Sequence, residues 1–149
     1  MTQSDVSAVE ILLVEDNEDD AALTARAFRK AKMRNRLSVV PDGVEALAYL
    51  KKEGRYSDAA RPDIILLDLN LPRLSGRQVL ERIKADPDLK DIPVIILTTS
   101  KAEEDVALAY KSHTNCFISK PVVMEEFEKV IKDIADFWFV IVRLPPKDK

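Results

Sequence analysis

Five short aliphatic runs separated by longer amphipathic stretches constrain this chain more than any other feature. Val9–Val14 (VEILLV), Leu37–Val40, Ile64–Leu67 (IILL), Val94–Leu97 (VIIL) and Cys116–Ile118 are rich in β-branched residues and mostly do not alternate with polar ones. An exposed antiparallel strand would alternate; a continuous apolar run fits a strand covered on both faces. The intervening segments Asp20–Lys32, Gly43–Lys52, Gly76–Ala85, Ala102–Lys111 and Met124–Phe137 carry a helical period. In the first, Leu23, Ala27 and Ala31 form one stripe with Phe28 beside it; Phe127, Ile131 and Ile134 line the last. Strand and helix alternating in this way predict a three-layer α/β sandwich around a parallel sheet. Pro62 and Pro93 stand just before strands, Pro87 after a helix, and Pro72 and Pro121 just past strand ends, all places such a sheet tolerates.

Composition narrows the function. The 149 residues suit one domain, since domains run to roughly 100–200 residues. With 23 Lys plus Arg against 26 Asp plus Glu, the net charge is −3, which argues against nucleic acid as a partner. Three scattered glycines, Gly43, Gly54 and Gly76, cannot write a GxGxxG or a Walker phosphate loop. One cysteine, Cys116, excludes a disulfide framework and suits a reducing cytoplasm. The start, Met1–Ser7, does not read as a signal peptide, and the longest apolar run, Phe137–Val142, is far short of the ~20 residues that span a bilayer. A cytoplasmic protein without membrane segments is expected.

In an open α/β sheet, sites form beyond the carboxyl ends of the strands. Those positions hold Glu15-Asp16, Asp68-Leu69-Asn70, Thr98-Thr99-Ser100 and Ser119-Lys120-Pro121. Three carboxylates, a hydroxyl and a lysine would therefore converge. Like charges that close repel, so the pocket is expected to bind a hard divalent cation, with Mg²⁺ the natural candidate. The single His113 and single cysteine argue against zinc or copper. Asn17, Glu18, Asp19 and Asp20 read instead as helix caps and dipole partners.

These motifs, VEDN, LLDLNLP, LTTS and SKP in that order, resemble the receiver domain of two-component response regulators, over about Val9 to Phe137. The resemblance implies a flavodoxin-like fold, with a five-stranded parallel sheet in the order 2-1-3-4-5 and helices on both faces. It implies Asp68 as the phospho-acceptor, and Glu15, Asp16, Asp68 and the backbone carbonyl of Asn70 as the metal site. It implies Lys120, Thr98 and Thr99 around the phosphoryl group, with Thr98 and Phe117 as the switch pair. Phosphorylation would add about −1.5 to −2 charge where one carboxylate stood, which forces rearrangement.

Several positions depart from the commonest receiver. Glu15 replaces an aspartate, with an arm that still reaches a water-mediated metal site. Thr99 is bulkier than the usual Ala or Ser and bears on phosphate lifetime. His113 stands where many receivers have glycine in a turn, and Cys116 reads as a small buried apolar residue. A haloacid-dehalogenase-like phosphatase would need an aspartate two residues after its nucleophile, where this chain has Asn70. A degenerate receiver that only binds partners would not need the full acid, metal and lysine set.

Residues 1–8 read as a tail, 9–136 as the receiver, and 137–149 as an apolar extension with no room for a DNA-binding or catalytic module. The chain is thus expected to be a single-domain regulator, not a classical enzyme, acting through protein contacts. Phe137, Trp138, Phe139, Ile141 and Leu144 form either a lid or, as favoured here, a homodimer interface. That ending, with LTTS and HTNCFISKP, is similar to regulators paired with bacterial phytochrome histidine kinases, so a phytochrome-type kinase is the expected partner.

Overall fold

The computed structural model describes residues 8–30, 34–69, 71–98 and 116–119, together with Glu125 and Lys129. Five strands, β1 (Val9–Val14), β2 (Asn35–Val40), β3 (Ile64–Asp68), β4 (Val94–Thr98) and β5 (Cys116–Ser119), form one sheet in the order β2-β1-β3-β4-β5. Every pairing is parallel. Helices α1 (Glu18–Lys30), α2 (Gly43–Leu50) and α3 (Gly76–Ala85) fill the first three connections. The two later segments of helical period lie outside the described residues, except that Glu125 and Lys129 are helical.

The aliphatic runs are buried on both faces, as their lack of alternation predicts. Leu12, Val14, Ile65, Leu67, Val94 and Ile96 point to one side, where they meet Ala46 and Leu50 of α2 and Val79, Leu80 and Ile83 of α3. Ile11, Leu13, Ile64, Leu66, Ile95 and Leu97 point to the other and meet Phe28 of α1. One strand thus serves two cores through its period of two.

On α1 the buried residues are Thr24 and Phe28, while Leu23 is 47% exposed. Leu23 is therefore off the core face, Ala27 is half-buried, and Ala31 lies outside the described residues. The bulk of Phe28 turns that face toward the sheet, and Thr24, one turn earlier, follows it. Helix α2 is also shorter than its sequence period, ending at Leu50. Lys52 takes a left-handed φ of 57°, its N–H donates to the Tyr49 carbonyl, and the Glu53 N–H donates to the Ala48 carbonyl. This is a Schellman closure with lysine in the position glycine usually fills.

A short 3-10 turn, Gly54–Tyr56, then folds back on α2. The Tyr56 hydroxyl donates to Glu45 Oε1 at 2.6 Å, and Arg55 Nη2 donates to the same oxygen at 3.0 Å. The Tyr56 ring lies 5.3 Å from that of Tyr49, whose hydroxyl donates to Ser38 Oγ on β2 at 3.1 Å. Burial, and then the bond to Glu45, raise the Tyr56 phenol above its ordinary value of 10.0. The folded state thus holds this proton more tightly than the unfolded state. That stabilisation is complete below about pH 10 and is lost as pH rises through the higher folded value. Tyr56→Phe is expected to lose about 1 kcal/mol at neutral pH and to show a shallower alkaline fall in stability, read by urea unfolding at stepped pH.

Candidate functional site

The register of the sheet decides which strand ends meet. Val14 of β1 pairs with Val40 of β2 and with Leu67 of β3, and Leu67 pairs with Ile96 of β4. One residue past Val14 is Glu15, and one past Leu67 is Asp68. Two acids from distant parts of the chain are therefore neighbours at the carboxyl edge. From β1 the chain crosses to β2 on one side, then returns past β1 to β3, so this edge lies at the topological switch point.

Glu15, Asp16 and Asp68 each bring a carboxylate oxygen, and these oxygens all lie within 4.8 Å of one another. Glu15 is 3% exposed and Asp68 2%, whereas Asp16 is exposed. The Glu15 backbone N–H donates to the Val40 carbonyl at 3.0 Å, continuing the ladder beyond the strand. Its side-chain Oε2 accepts from the Asn17 N–H at 3.2 Å, which turns the chain into α1. Asn17 Oδ1 in turn accepts from the Asp20 N–H at 2.9 Å and caps that helix, as expected from its position. Glu18, Asp19 and Asp20 fill the first turn, where acids favour the helix dipole.

The donor set is all carboxylate oxygen, held at strand ends whose backbone is fixed by the sheet. That chemistry fits a hard divalent cation and suits no soft metal. Mg²⁺ is expected to raise the thermal midpoint of the protein, by the equivalent of about 2.7 kcal/mol at a hundred times its dissociation constant. Asp16→Asn is expected to lose that shift in calorimetry, yet to unfold at a higher midpoint than the parent in metal-free buffer, because one like charge has gone.

After β3 the chain makes a tight return to α3. The Gly76 N–H donates to the Leu69 carbonyl at 3.1 Å, and a Cβ at Gly76 would collide with the backbone of Asp68 and Leu69. Only glycine lets α3 start that close to the acid. Ser75 and Gln78 close a reciprocal capping box around the same turn. At the next loop, a Cβ on Gly43 would stand 2.5 Å from the Leu74 carbonyl oxygen. Asp42, 5% exposed, caps α2 by accepting from the Glu45 N–H at 2.8 Å, and its other oxygen accepts from Arg73 Nη1 at 3.0 Å. Asp42 and Arg73 are absent from the sequence-based site. Asp42 signals only a helix cap, and nothing in the sequence announces its link to a residue 31 positions away.

The structure brings Glu15, Asp16 and Asp68 together. Thr98 ends β4, and its backbone pairs in register with Ser119 of β5; its side chain lies outside the description. Phe117 pairs with Ile96, again as backbone only. Asn70, Thr99, His113, Lys120 and the extension with Phe137, Trp138, Phe139, Ile141 and Leu144 lie outside the described residues. Among the described residues no helix is long and apolar enough to cross a membrane.

A parallel sheet in this order, with an acid trio at the ends of β1 and β3, defines the phosphorylation-accepting receiver class. The response regulator receiver domain family matches residues 11–132, and the chain belongs to that family. It is similar to the response regulator Rcp1 of Synechocystis sp., with 43% identity over 135 residues, 91% of this chain and 92% of that one. It is similar to the phosphorylated cyanobacterial phytochrome response regulator RcpA, with 44% identity and a TM-score of 0.74, covering 94% of this chain and all of the other. The Mn²⁺-bound form of Rcp1 matches at 42% identity and a TM-score of 0.71, over 93% of this chain and 99% of that one.

Proposed function

We propose that this protein is a single-domain response regulator that takes a phosphoryl group from a histidine kinase onto Asp68. The observation that carries this reading is the position of Asp68: a 2%-exposed carboxylate at the end of β3, within 4.8 Å of two further acids. A carboxylate oxygen of Asp68 attacks phosphorus in line with the phosphohistidine nitrogen. The O–P bond forms as the N–P bond breaks, and the electron pair leaves on the imidazole, giving an acyl phosphate. Glu15 and Asp16, with Asp68 and the Asn70 carbonyl, would hold Mg²⁺, which when bound neutralises phosphoryl oxygens. The Mn²⁺-bound form of the similar Rcp1 supports a divalent ion here.

Lys120 would pair first with the Asp68 carboxylate and then with a phosphoryl oxygen. Thr98, beside Thr99, would bond the phosphoryl group and move with Phe117 to report the modification. The protein promotes only its own phosphorylation and dephosphorylation, and passes the signal on by surface contacts in the cytoplasm. A phytochrome-type sensor kinase is the proposed donor, supported by the likeness to a phytochrome response regulator. Residues 137–149 are proposed to join two copies.

Incubation with Mg²⁺ and a small acyl-phosphate donor is expected to add one phosphoryl group by intact mass, and none in Asp68→Asn. A parent protein that stays unmodified with every donor and kinase would sink the reading. Truncation after Asp136 is expected to shift gel filtration from dimer to monomer, and a truncated chain that still elutes as a dimer refutes the role of the extension.

A further inference from the structure

The loop from Leu69 to Ser75, which follows the proposed phospho-acceptor, is tied to a neighbouring loop by an ion pair that the phosphoryl chemistry does not itself require. Arg73 Nη1 donates to Asp42 Oδ2 at 3.0 Å. The Asp42 side chain is 8% exposed and that of Arg73 is 57% exposed, so the acid is built into the fold and the arginine reaches in from the surface. The other Asp42 oxygen is already fixed by the Glu45 N–H at the start of α2. A helix terminus thus anchors the carboxylate, and the carboxylate anchors the loop.

Arg73 holds this contact with a φ of 66°. A residue with a Cβ adopts that left-handed backbone at a cost, and glycine or asparagine would fit better. The contact is not a loose surface pair on an otherwise independent loop. Leu74 packs its backbone against Gly43, the residue next to Asp42, so closely that a Cβ there would collide. Behind it, Gly76 seats the end of the same loop on the backbone of Asp68. The loop is therefore gripped at both ends, and Arg73 closes the grip on the side of α2.

We infer that Asp42 and Arg73 are positioning residues for the phosphoryl site: their ion pair sets the path of the loop after β3 and hence the cation geometry at Asp68. This rests on the proposed Mg²⁺-dependent function and adds to it residues outside the acid trio. Both act through Leu74 and Gly76, which rest on Gly43 and on the backbone of Asp68 and Leu69. The pair links the start of α2 to the site, so a partner pressing on α2 would alter cation affinity, and a cation would alter α2.

Two substitutions separate this role from simple stability. Asp42→Asn keeps a good helix cap while removing the charge that holds Arg73. Arg73→Gly removes the guanidinium while relieving the left-handed backbone. Calorimetric titration with Mg²⁺ and phosphorylation rates with a small acyl-phosphate donor are measured on the full chain, beside thermal midpoints. The expected result is a drop of about three- to tenfold in Mg²⁺ affinity for both variants, the scale of one lost, partly exposed charge-assisted bond. Rates at low Mg²⁺ fall with it and recover at saturating Mg²⁺. Arg73→Gly keeps or raises its midpoint, and Arg73→Lys recovers part of the affinity. Unchanged Mg²⁺ affinity in both variants overturns the inference, as does a lower rate that saturating Mg²⁺ leaves uncorrected, since that would place Arg73 on the donor instead. A parent chain that neither binds Mg²⁺ nor takes a phosphoryl group overturns the proposed function itself.

Discussion

The parallel register between β1 and β3 is the constraint on which the site depends. Pairing Val14 with Leu67 places the next residues, Glu15 and Asp68, side by side although more than fifty positions separate them. A slip of one residue would send every side chain of β3 to the opposite face. Ile65 and Leu67 would leave the core they share with Leu12, Val14, α2 and α3, and Asp68 would turn away from the edge. The two aliphatic cores thus enforce the geometry of the three acids. Burial supplies the force, and the acids inherit the precision.

Bringing carboxylate oxygens of three acids within 4.8 Å of one another is costly for like charges, and among the described residues it occurs at this edge alone. Around that edge the loops are closely bound. Asn17 caps α1, Asp42 caps α2 and Ser75 caps α3, each using a short polar side chain on a backbone N–H. All three caps stand at the carboxyl side of the sheet, so three helix N-termini open toward the same region. That arrangement favours negative charge there and suits the arrival of a phosphoryl group as well as the acids that receive it. Gly43 and Gly76 then draw the loops into contact.

Much of the fold was legible from residues. The four-residue apolar cores IILL and VIIL read as strands covered on both sides and are strands, and α3 runs over the Gly76–Ala85 segment that its period marks. Glu15, Asp16 and Asp68 were legible because a charge directly after an aliphatic run has no packing role. The first helix was less so: periodicity favoured Leu23, yet Thr24 and Phe28 are buried, because a single large ring sets the rotation of a short amphipathic helix. The end of α2 was also hidden, since a lysine in a left-handed cap has no sequence signal.

The sequence by itself determined the class of the chain: its strands, their carboxyl-end acids and the order of its motifs all follow from which residues are adjacent. Local order suffices there, because hydrophobic period and strand-end chemistry are written over a few neighbouring positions. Only the tertiary structure decided that Asp42 meets Arg73, that Gly43 lies under Leu74, and that oxygens of Glu15, Asp16 and Asp68 come within 4.8 Å of one another. Those contacts join positions set side by side by the sheet and its crossovers, and the distance between two loops is a property of the packed layers.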